Sequence, residues 1–143
     1  MLKGIEKYAN KGNRVKASSP KLQVYNTALL SAQSGKSFKQ AIEDRDFWGR
    51  LTESAIGAYI INEVRGKQID VFYWREGNRE VDFVLKKDDF IVAIEVKSSL
   101  KKEKLPAMDA FKKQFHASKL LLVGKGGVPI EEFLQTPIEN WFC

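Results

Sequence analysis

Apolar residues recur at helical spacing over 46–65, where Phe47, Leu51, Ala55, Ile56, Tyr59 and Ile60 make one stripe and Asp44 or Asp46 can serve as N-cap. The period then shortens to that of strands. Residues 70–75 are rich in aromatic and β-branched types and close on a Glu76-Gly77-Asn78 turn, and two apolar runs, 80–85 and 90–97, flank the polar tetrad 86–89. Met108, Phe111 and Phe115 restore helical spacing over 105–115, the run 119–124 reads as a buried strand, and Pro129 can open a short helix ending near Leu134. The expected order is helix, three strands, helix, strand, short helix: an α/β or α+β domain with a mixed sheet flanked by helices.

Ahead of this body the signals weaken. Residues 1–19 are polar, with Lys11-Gly12-Asn13-Arg14 and Ser18-Ser19-Pro20 as turn markers, so a basic, linker-like lead is expected there and the domain proper over 20–143. Leu22, Val24 and Tyr25 suggest a short strand, and Ala28 to Ala32 a turn of helix. Ser34-Gly35-Lys36-Ser37 imitates the end of a phosphate-binding loop. That loop requires a glycine where Leu30 stands and a strand before it, so no ATP binding by this chain is expected.

The hairpin of the second and third strands is where chemistry gathers. If Leu85 faces Phe90 across the tetrad, Asp82 faces Ala93 and Glu80 faces Glu95, and Asp82, Glu95 and Lys97 project from one side of the sheet. Asp82 and Glu95 are then diagonal neighbours, ~7–8 Å apart at Cα, and can share one cation. Val81, Phe83, Leu85, Val92, Ile94 and Val96 form the opposite, apolar side. Glu53 precedes Ile56, Gly57 and Ile60 by helical intervals, which puts its carboxylate beside the apolar stripe. Two carboxylates and a lysine suit phosphodiester hydrolysis with Mg²⁺ or Mn²⁺, and the same residues also suit a solvated, salt-bridged face.

Composition narrows the choice. The chain has 143 residues, 43% hydrophobic and 29% charged, enough for one self-supporting core. His116 and Cys143 are its only histidine and cysteine, so a zinc site of nitrogen and sulfur ligands cannot be assembled and any metal must be held by oxygen. No apolar run approaches the ~20 residues of a membrane span and the start has no signal-peptide core, so no membrane partner and a cytoplasmic location are expected. The net charge of +6 lies in residues 1–50, with ten basic and four acidic side chains, and 51–143 hold fourteen of each. A basic segment beside a neutral body fits either phosphate attraction or simple solubility.

Trp48-Gly49-x-x-x-Glu53, Tyr73-Trp74-Arg75, Glu80-Val81-Asp82-Phe83 and Ile94-Glu95-Val96-Lys97-Ser98-Ser99 resemble the C-terminal domain of unknown function of prokaryotic AAA+ ATPases, itself similar to PD-(D/E)XK nucleases. The resemblance runs from about Ser18 to Phe142. It implies a restriction-endonuclease-like core in the order αβββαβ, with Glu53, Asp82, Glu95 and Lys97 as catalytic residues and Asp82 and Glu95 as ligands of Mg²⁺ or Mn²⁺. It also implies an ATPase domain ahead of this segment, so the chain is expected to be the C-terminal piece of a longer protein, the alternative being a stand-alone relative. Val81 replaces the proline of the nominal motif, and Asn26 stands where relatives carry aspartate.

Two functions follow as expectations. One is a metal-dependent nuclease acting on DNA, with Arg75, Arg79, Lys101 and Lys102 near enough in sequence to meet phosphates. The other is an inactive module of the same fold that binds nucleic acid or protein for an attached ATPase.

Overall fold

The computed structural model describes residues 2–9, 19–98 and 106–143. In chain order the elements are β1 (Leu2–Lys7), β2 (Lys21–Val24), α1 (Ala28–Ser34), α2 (Phe38–Glu43), α3 (Arg45–Glu63), β3 (Asp70–Glu76), β4 (Arg79–Lys87), β5 (Phe90–Lys97), α4 (Pro106–Phe115), β6 (Lys119–Gly124) and α5 (Ile130–Gln135), followed by a 3₁₀ turn at Ile138–Trp141. The fold is α+β, a mixed six-stranded sheet in the order β2-β1-β3-β4-β5-β6 with helices against it. β1 runs parallel to β3 and β5 to β6, and the remaining neighbours are antiparallel.

Each face of the sheet has its own core. On one, Ile56, Ile60 and Ile61 of α3 and Phe133 of α5 pack on Phe83, Leu85, Val92 and Ile94. On the other, Met108, Phe111 and Phe115 of α4 pack on Trp74, Val84, Ile91 and Ala93. Such double burial explains why the strands read as nearly continuous apolar runs. The apolar β6 is an outer strand all the same. The chain after it folds back over its edge, with Gly124 N–H donating to Val128 O at 2.8 Å and Val128 N–H donating to Leu122 O at 2.9 Å.

The polar lead departs most from expectation. Leu2–Lys7 is a strand inserted between β2 and β3, with Ile5 buried in the α3-side core and Tyr8 packed edge-on against Phe72 and Phe115 in the α4-side core. Two buried side chains among the eight residues 2–9 leave no local pattern to read. Residues 10–18 lie outside the described part.

α2 had no counterpart in the apolar pattern, although its start is written in a capping box: Ser37 accepts from the Gln40 amide while the Gln40 side chain accepts from the Ser37 amide. Ser34-Gly35-Lys36-Ser37 is therefore helix punctuation, Gly35 ending α1, Ser37 capping α2, and Lys36 pairing with Asp44 at 3.1 Å. Asp44, not Asp46, caps α3, accepting from the Phe47 amide.

The β4–β5 hairpin turns on two residues, not four. Lys87 pairs with Phe90 across Asp88-Asp89, and Asp88 takes φ 52°, a conformation aspartate tolerates better than most. The pairing is shifted by two positions, so Val84, not Asp82, faces Ala93 and Glu80 does not face Glu95. Even shifts preserve faces.

Candidate active site

Between β3 and β4 the register slips: Phe72 pairs with Val84 but Trp74 with Val81, so Tyr73 stands against both Asp82 and Phe83. This β-bulge reverses the alternation locally. Val81, expected with Phe83 and Leu85, instead joins the α4-side core, while Phe83 stays under α3. Asp82 is left beside Glu53 of α3.

From there the β4–β5 ladder is continued by a side chain. The last paired positions are Phe83 and Ile94, and beyond them Asp82 Oδ2 accepts the Val96 amide at 2.8 Å. Asp82 is 8% exposed. Glu95 follows on β5, and Lys97 lies 3.4 Å from its Oε1. The far end of β5 is gripped by β6. Gly124, at φ 109°, passes so close to the Lys97 carbonyl that any Cβ would overlap it, and Lys125 N–H donates to that carbonyl at 3.1 Å.

Glu53, Asp82, Glu95 and Lys97 thus line one cavity of about 1030 Å³, open to solvent between the first half of α3 and the ends of β4 and β5. Arg45, Arg50 and Lys125 stand on its walls. The carboxylates of Glu53, Glu80 and Asp82 each offer an oxygen within 4.8 Å of the others. Glu95 borders this trio, and its Oε2 is buried without a hydrogen-bond partner. Burial first, then the charges of Glu53 and Glu95, pushes the Asp82 carboxyl well above the ordinary range. Burial likewise raises Glu95, with Glu53 adding to the effect against the opposing pull of Lys97.

Sequence reasoning missed Lys21. From the first position of β2 its Nζ lies 2.5 Å from Glu53 Oε1 and 3.4 Å from Glu80 Oε1, and 5.3 Å from the centre of the Phe83 ring. Burial would lower its pKa, but Glu53, Asp82 and Glu80 outweigh that and raise it. Lys21 reaches the cluster because β2 lies against α3. There Gln23, nearly fully buried, donates to Ser54 O at 3.0 Å across Gly57, where a Cβ would collide with the Gln23 carboxamide and the Phe83 ring.

Of the residues expected to meet phosphate, Arg75 and Arg79 are exposed on the β3–β4 hairpin, Arg75 opposite Glu80 and Arg79 opposite Glu76, and neither lines the cavity. Lys101 and Lys102 lie outside the described residues.

The model of a family described as a domain of unknown function, DUF4143, matches residues 48–141. The chain belongs to that family. The match begins at Trp48 on the cavity wall and includes Glu53, Asp82, Glu95 and Lys97, so the DUF4143 segment holds all four. Lys21 and the β1–β2 pair precede it. No curated protein and no solved structure matches the chain. Among the described residues, no helix of this DUF4143 protein is long and apolar enough to cross a membrane.

Proposed function

We propose that the chain is a metal-dependent nuclease domain acting on DNA, of the PD-(D/E)XK kind and with the restriction-endonuclease-like core it resembles, working as the C-terminal part of an AAA+ ATPase-type protein. The observation that carries this reading is the convergence of Glu53, Asp82, Glu95 and Lys97 in one cavity walled by Arg45, Arg50 and Lys125.

The donor set suits Mg²⁺ or Mn²⁺. All its ligands are hard oxygens, Glu95 Oε2 is a buried acceptor lacking a donor, and the raised pKa values of Asp82 and Glu95 mark carboxylates in want of positive charge. Asp82 and Glu95 would hold the ion, with Glu53 completing the acidic group. Bound there, a divalent cation supplies Lewis-acid polarisation of phosphate and a more acidic water. The protein's part is positional: the Val96 amide holds the Asp82 carboxylate, Lys97 orients the attacking water, and the basic walls neutralise phosphates on either side of the scissile bond.

A time course on labelled single- and double-stranded DNA in Mg²⁺, Mn²⁺ and EDTA, run beside Glu95→Ala, tests the proposal. Metal-dependent cleavage that the variant loses is expected. A second reading, a binding module without turnover, is favoured by the Lys21 ion pairs, which already neutralise part of the acidic cluster. Folded protein that binds DNA and cleaves it in no metal would establish that alternative.

A further inference from the structure

We propose that Lys21 is a tethered counter-ion whose ammonium supplies part of the positive charge the acidic cluster would otherwise take from a divalent cation, so that metal loads only as the Lys21 ammonium withdraws. The inference rests on the reading of the cavity as a cation-dependent site. It adds a residue outside the matched family segment that sets how tightly, and which, cations bind.

Geometry carries it. Glu53 and Asp82, both part of the proposed cation site, converge with Glu80 so that each offers an oxygen within 4.8 Å of the others, and the Lys21 ammonium contacts Glu53 and Glu80. A small cation entering the cluster meets the Lys21 ammonium already seated on Glu53 Oε1 at 2.5 Å, and two positive charges that close in a partly buried site repel. The two therefore compete for the same carboxylates.

Withdrawal is structurally easy. Lys21 is the first residue of an outer strand that pairs, among the described strands, with β1 alone. Its side chain keeps a quarter of its surface exposed, so a few torsions of a flexible stem carry the ammonium to water while Gln23 holds β2 in place through Ser54. Lys36 is differently placed: it pairs with Asp44 and does not line the cavity.

A resident monovalent charge makes the binding-competent state a minority, and apparent affinity falls by the fraction in that state. Removing the charge without shortening the stem restores it. Lys21→Met is therefore expected to bind Mn²⁺ at least about tenfold more tightly than the unaltered chain by calorimetry, while Lys36→Met changes affinity far less.

Should Lys21→Met fail to fold, the unaltered protein supplies the answer through the Nζ and Cε resonances of Lys21 followed by NMR during a Mg²⁺ titration. They are expected to move to solvent-exposed values along the same isotherm as metal binding. Equal Mn²⁺ affinity in Lys21→Met and the parent, or Lys21 resonances that stay put as Mg²⁺ saturates, would overturn the counter-ion role and leave the metal site standing. Absence of binding in both proteins at millimolar Mn²⁺ would sink the metal reading and this inference with it.

Discussion

Asp82 accepts the Val96 amide at 2.8 Å, taking over the hydrogen bonding of two strands where their backbone ladder ends. The carboxylate therefore has two duties, one in the cavity and one in the sheet. Asp82→Ala leaves a buried amide unpaired and should cost about 1–3 kcal/mol. Asp82→Asn keeps a carbonyl oxygen for Val96 and should cost far less. Urea denaturation of both variants checks this, and equal losses would show that the amide finds another acceptor.

Acidity separates the same variants further. A carboxyl with a raised pKa binds more protons folded than unfolded, so its contribution to stability is fully present below about pH 4 and is lost as pH rises through its folded pKa. Glu95 acts in the same direction. In EDTA, the stability of the unaltered protein minus that of Asp82→Asn should fall from pH 4 to pH 8. Melting curves across that range would contradict the assignment if the difference rose.

Gly57→Ala should disturb β2 through Gln23, since the added methyl collides with the Gln23 carboxamide and the Phe83 ring. Overpacking of this kind costs about 1–3 kcal/mol. Faster hydrogen exchange should be concentrated at the β1–β2 pair, and uniform exchange across the sheet would argue against a local route.

DNA affinity should depend on the cavity walls more than on the hairpin tip. Arg45→Ala, Arg50→Ala and Lys125→Ala should each weaken binding and reduce the salt slope by about 1, and Arg75→Ala and Arg79→Ala by less. Titrations at several salt concentrations with EDTA present decide this, and the reverse ranking would move the nucleic acid to the β3–β4 turn.

The elements from α3 to β6 were legible because their apolar residues repeat at the period of the structure they form, and both sheet faces are buried. The placing of Glu95 and Lys97 on a common face did not depend on the hairpin register at all, because the two stand two positions apart on β5. Asp82 reached the cluster by a different route. Only the bulge opposite Tyr73 turns it toward α3, and a one-residue slip between distant strands has no local signature. Lys21 was hidden for a related reason: nothing near it in sequence announces that Glu53 and Glu80 will stand around it.

β1 meets β3 through Glu6 with Phe72 and Lys7 with Tyr73, so β1 waits for a partner synthesised only after α1, α2 and α3. Until then, among the described strands, β1 and β2 pair only with each other, and a lone pair of strands is marginal in water without a helix to pack on. On the ribosome, the acids of α3 and β4 are all made after Lys21, and they meet it only once an earlier stretch of the domain docks onto a much younger one.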